Sequence, residues 1–285
     1  MPAEPKTITV FLDASPSGDR RAARAAAFAK HWNAHLVGVH VVYKGAIPHP
    51  ALAYARSEKA IAGVVAHERR VDEACECATN EVGDRFAALC AEQDVSAEFR
   101  PIKRERTDQA AIVRSLHSDL LIVGHPEPNG LPDYMSAERI LLASGVPLLI
   151  VPNAWQGDRI GERIMIGWNA SPEARRALAD AMCLVVGASS VKVLVVDPAG
   201  CKMLGGEMGC DIVQHLDRHG AEAELVEVAS RGRPLAEVIL SEAKASGTDL
   251  LICGARSPAH LREIVFGNLT RKLLAKMPVP VLISR

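Results

Sequence analysis

The chain repeats itself, and that repeat restricts its possible folds more than any other feature. Ile8 to Leu12 runs into Asp13-Ala14-Ser15-Pro16, and 156 residues later Ile164 to Trp168 runs into Asn169-Ala170-Ser171-Pro172. Asp119 to Gly124 (DLLIVG) returns 130 residues on as Asp249 to Gly254 (DLLICG). Val146 to Ile150 (VPLLI) returns 133 residues on as Val279 to Ile283 (VPVLI). Three matches in one order imply a duplicated unit. The offset falls by 26 between the first and second matches, so the first copy carries extra residues, placed at about 48–95. At 285 residues the chain is long enough for two cores.

Each copy alternates short apolar runs, such as Leu36 to Val42, Val191 to Val196 and Leu250 to Cys253, with helical stretches. Runs apolar on both faces suit a buried parallel sheet with helices on each side. Ser15-Pro16 and Ser171-Pro172 read as an N-cap followed by proline at the first helical position. Ile61, Val64, Val65, Val71, Cys75, Ala78, Val82, Phe86 and Leu89 keep a helical spacing over about eight turns, so one long helix is expected within the insertion. Packing is the expected role of that helix. Pro152 to Gly161 has the composition of an exposed connection, which gives domains at 1–152 and 162–285.

Charge is balanced, 33 basic against 34 acidic residues, and only 4% of residues are aromatic, so neither nucleic acid nor a base-stacking surface is implied. No apolar run is long enough to cross a bilayer and no signal-peptide core is visible, which leads us to expect a cytoplasmic protein without membrane partners. Seven cysteines without a CxxC pair read as free thiols, and Cys75 and Cys77 are expected on different helix faces. His31 with His35, and His215 with His219, have the spacing of two ligands on one helix face but lack a third ligand, and solvated histidines are the expectation. Lys103 to Arg106 reads as a wet loop. No catalytic or metal residue is assigned.

In an open parallel sheet, ligands bind beyond the carboxyl ends of the strands, where strand order reverses. After the fourth strand of the second copy the chain reads Gly254-Ala255-Arg256-Ser257, then nine residues, then Gly267-Asn268-Leu269-Thr270 and a helix through Lys276. Glycine lets an anion approach the main chain, and helix-start N–H groups point toward negative charge. Ser257, Asn268 and Thr270 can donate to a phosphate, and Arg256 can add a charge-assisted bond.

This segment resembles the universal stress protein family, whose pattern after that strand is Gly-x2-Gly-x9-Gly-Ser/Thr, and the resemblance extends along nearly the whole chain. Ser257 stands at the family's second glycine and Asn268 at its first hydroxyl. The resemblance implies two tandem doubly wound α/β domains of the adenine-nucleotide α-hydrolase type, each with a five-stranded mainly parallel sheet. It further implies ATP, or a related adenine nucleotide with magnesium, held by Asn169 and Val195 at the adenosine end and by Gly254, Arg256, Ser257, Gly267, Asn268, Leu269 and Thr270 at the phosphates. Trp168, beside the adenine position, would either stack on the base or pack over the pocket. In the first copy Asp13 and Val41 hold the adenosine positions, but Tyr134 falls where Gly267 stands, and Glu127 and Asp133 place like charge near the phosphates, so this copy is not expected to hold a triphosphate.

Members of the family pair through their last strands. Val146 to Val151 and Val279 to Ser284 are therefore expected edge to edge, an internal pseudo-dimer that leaves room for a homodimer of whole chains. Three functions follow. The first is a regulatory stress-response module binding nucleotide through the second copy. The second is an interaction protein working through its paired domains and long helix. The third, an ATP-hydrolysing enzyme, has the least support, since no base, nucleophile or carboxylate cluster accompanies the loop.

Overall fold

Strands apolar on both faces need cover on both sides, and this requirement shapes the molecule. The computed structural model describes residues 4–43, 57–104, 117–125, 137–198, 208–255 and 268–285. The first half runs β1 (Thr7–Leu12), α1 (Pro16–Trp32), β2 (His35–Tyr43), α2 (Glu58–Glu92), β3 (Ala97–Arg104), β4 (Leu120–Gly124), α3 (Ala137–Ser144) and β5 (Leu148–Val151). The second runs β6 (Arg163–Gly167), α4 (Pro172–Val186), β7 (Ser190–Val196), α5 (Met208–Arg218), β8 (Ala223–Val228), α6 (Leu235–Ala245), β9 (Leu250–Gly254), α7 (Asn268–Lys276) and β10 (Val281–Ser284).

Among the described residues ten strands form one sheet, in the order β3-β2-β1-β4-β5-β10-β9-β6-β7-β8. Each half contributes five parallel strands, and the halves join where β5 meets β10 antiparallel, with Ile150 opposite Val281, Leu149 opposite Leu282 and Leu148 opposite Ile283. These six side chains are at most 1% exposed. Burying each contributes about 1.5–3 kcal/mol, and pairing removes two open edges.

Alternation along the strands splits the core between two faces. Ile8, Val10, Ile164 and Ile166 pack with α1, α2, α4 and α5 through Ala22, Phe86, Ala177 and Ile212. Phe11, Leu121, Met165 and Leu251 pack with α3, α6 and α7 through Leu141, Ile239 and Leu273. Both proline-led helices start as their sequences require. Ser15 Oγ accepts from Gly18 N at 3.0 Å, and Ser171 Oγ accepts from Ala174 N at 3.2 Å.

The long helix α2 has 35 residues and so spans about 52 Å. Its later turns bury Val82, Phe86 and Cys90 against the sheet, whereas Ile61, Val65 and Val71 are 43%, 53% and 44% exposed. Cys75 is half-buried and Cys77 exposed, on separate faces. Two sequence expectations need correction. His31 lies in α1 while His35 opens β2, so Asn33 in a left-handed turn (φ 47) separates them and they share no helix face. Lys103 and Arg104 are the last residues of β3, extended by pairing with Val42 and Tyr43, rather than loop. No described helix is long and apolar enough to cross a membrane.

Candidate functional site

In the second half β6 lies between β7 and β9 and is parallel to both. The chain leaves β6 toward β7 and later returns to β9 on the other side, so the crevice opens at the carboxyl ends of these strands. Asn169 follows β6 and is exposed. Its Oδ1 accepts from Ser171 N at 3.1 Å, and its amide nitrogen has no partner among the described residues. Ala170, at φ 54, makes the sharp turn that leads into the Ser171 cap.

Val195 is buried in β7 opposite Glu227 of β8. Just beyond it Asp197, at φ 53, accepts from Ser230 N at 2.7 Å, and the hydroxyl and N–H of Ser230 hold its carboxyl below the ordinary range. Gly254 closes β9. A Cβ there would lie 2.4 Å from the carbonyl carbon of Glu173 and 2.5 Å from Ala174 N, so the missing side chain is what admits the first turn of α4. Next to it, burial pushes the Cys253 thiol up to about 12 despite a hydrogen bond with the Gly167 backbone.

Asn268, Leu269 and Thr270 form the first turn of α7, with Leu269 half-buried and Thr270 5% exposed. Arg256, Ser257 and Gly267 fall outside the described residues, as do Glu127, Asp133 and Tyr134 of the first half. The structure thus brings Asn169, Val195 and Gly254 to three neighbouring strand ends and sets Asn268 to Thr270 at a helix start.

The matching crevice of the first half is occupied by the protein itself. Arg21 of α1, 3% exposed, donates through Nε to Phe11 O at 3.0 Å and pairs with Asp13 Oδ2. The other oxygen of Asp13 accepts from Ser15 N at 2.8 Å and from Ser15 Oγ. A Cβ on Gly124 would lie 2.3 Å from a terminal nitrogen of Arg21, so this glycine makes room for a guanidinium where Gly254 makes room for a helix. In the second half Ala177 stands at the position of Arg21, fully buried.

Sequence reasoning missed Arg21. The available signal was a single arginine on the alanine face of α1, among Ala22, Ala25 and Ala26, with alanine at the same place in the other copy. At the opposite ends of the strands the repeated aspartates tie down main-chain N–H groups. Asp119 Oδ2 accepts from Lys6 N (2.7 Å) and Thr7 N (2.9 Å), and Asp249 accepts from Gly161 N (2.8 Å) and Arg163 N (3.0 Å). Burial pushes the Asp249 carboxyl above its ordinary range, against the pull of those Arg163 and Gly161 bonds. His215 and His219 stack edge to face at 4.7 Å, and no group of three metal-capable side chains exists among the described residues.

The model of the Universal stress protein family matches residues 4–152 and 162–285. Among solved structures, a universal stress protein from Archaeoglobus fulgidus DSM 4304 superposes with a TM-score of 0.65 at 16% identity, covering 98% of this chain and 96% of that one. A functionally unknown protein from Pseudomonas aeruginosa PAO1 superposes at 0.60, also at 16% identity, covering 98% and 92%. No curated protein matches the chain.

Proposed function

The chain belongs to the universal stress protein family, and from that premise we propose that it is a cytoplasmic regulatory stress-response protein that binds ATP or a related adenine nucleotide, with magnesium, through domain 162–285. Asn169 and the Val195 main chain would hold the adenosine. Gly254, Arg256, Ser257, Gly267, Asn268, Leu269 and Thr270 would surround the phosphates at the positive end of α7. The observation that carries this reading is the exposed Asn169 amide, unpartnered among the described residues at the point where strand order reverses, in contrast to Asp13, which Arg21 and Ser15 already satisfy. Domain 1–152 would accordingly serve as a scaffold.

The test is nucleotide content after purification and denaturation, with thermal shift in millimolar ATP and magnesium. Bound adenine nucleotide and a shift diminished by Asn169→Ala are expected. Absence of both nucleotide and shift would overturn the reading and leave the interaction function. That second function has its own support, since the free turns of α2 expose Ile61, Val65 and Val71. Cross-linking to a protein partner that Ile61→Asp and Val65→Asp abolish would establish it.

A further inference from the structure

The two halves set matching helices differently over one face of the sheet. In the first half Asp19 of α1 and Arg85 of α2 pair at 3.4 Å above a contact that buries Ala22, Ala26, Val82 and Phe86. The second half carries the charges exchanged, Arg175 on α4 and Asp211 on α5. The helices correspond because they end alike, Val95 N donating to Cys90 O at 2.9 Å and Ala221 N to Leu216 O at 3.0 Å. Yet Arg175 and Asp211 do not pair, and the helices stand apart around a cleft of about 740 Å³.

Buried Leu178, Met182 and Ile212 give this cleft an apolar floor, and Trp168 and Ala170 complete its wall. The rim is cationic. Arg175, Arg218, His215 and His219 are exposed there, and neither arginine side chain has a counter-ion or hydrogen-bond partner among the described residues. Partial burial and then the neighbouring His219, Arg175 and Arg218 lower the basicity of His215, so the positive charge of the rim rests on the two arginines. Asp211 is the one acid among the described lining residues.

We infer that the cleft between α4 and α5 is a second ligand site, and that it takes an amphipathic carboxylate. A single anionic head answers the uncompensated arginines, and an aliphatic or aromatic body covers the floor. A wholly polar anion would leave the floor wet, and a neutral lipid would leave the rim unanswered. The volume falls within the roughly 300–1,000 Å³ of ordinary small-molecule sites. The cleft lies on the sheet face that carries Ile164 and Ile166, opposite the face packed by α7, so it is separate from the phosphate end of the nucleotide crevice and adjoins the adenosine end at Trp168 and Ala170, which flank Asn169.

The full chain titrated calorimetrically with decanoate tests this, with decanol and acetate as controls. One decanoate per chain is expected, bound about tenfold or more tightly than decanol, and weakened to the level of decanol in Arg175→Glu/Arg218→Glu. Lack of decanoate binding, equal binding of decanol, or unaltered affinity in a charge-reversed variant with a normal urea midpoint would each overturn the inference.

Discussion

At matched positions the first half carries Asp13, Arg21 and the Asp19–Arg85 pair, and the second carries Asn169, Ala177 and an unpaired Arg175 and Asp211. The backbone framework is the same, with the same caps, the same strand order and the same aspartate ties beneath the sheet. Charge makes the difference: the first half uses its polar side chains on one another, and the second leaves several of them facing outward. Closing a crevice in this fold therefore needs no new element, only a guanidinium directed at a carboxylate across a glycine.

The largest effect should come from opening the closed half. Arg21→Ala strands the Asp13 carboxylate and is expected to destabilise by about 3–5 kcal/mol. The pair Arg21→Ala with Asp13→Asn, which imitates the second half, should cost less than the single change. A urea-denaturation cycle in which the two costs simply add would break the comparison.

Next in size are the aspartate ties. Asp119→Ala and Asp249→Ala each leave main-chain N–H groups unsatisfied and should cost about 2 kcal/mol. Because the folded-state pKa of Asp249 is raised, the native state holds that proton more tightly, so this group's contribution grows as pH falls through the raised pKa toward the unfolded value and is lost as pH rises through the same window. Wild-type stability relative to Asp249→Asn, followed by urea midpoints, should therefore increase on acidification.

Smaller still, Ser171→Ala should lower stability by about 1 kcal/mol and Ser15→Ala by somewhat more, since Ser15 Oγ also donates to Asp13. Equal thermal shifts would show that the bond from Ser15 to Asp13 adds nothing. The mildest probe is thiol labelling of the native protein. Cys77 and Cys210 are exposed and should alkylate first, whereas burial raises Cys90 to about 11 and Cys253 to about 12, and both should resist at neutral pH, as peptide mass mapping would show.

Features set by neighbours in the chain were legible beforehand. β1, β6, β7 and β9 fall within one residue of the runs read from apolar continuity, both proline-led helices begin at their serines, and the last strands meet as edge pairing requires. The helix α2 was legible from its spacing, although the period says nothing about how far it projects once the sheet beneath it ends. The closure by Arg21 was not legible, because the space for its guanidinium beside Asp13 and Phe11 O depends on Gly124, more than 100 residues away. The cleft between α4 and α5 was hidden for the same reason, since helix separation depends on which side chains interdigitate rather than on either helix alone. Glycine at 254 was expected to admit an anion to the main chain, and what the structure shows against it is the first turn of a helix of the same half.

The β5–β10 seam carries one further implication. A homodimer built from identical chains must accept every substitution twice, so neither subunit can lose a pocket while the other keeps one. Fusing the pair into a single polypeptide lifts that symmetry and keeps the partner at a fixed, high local concentration. One half is then free to become rigid ballast while its twin retains chemistry.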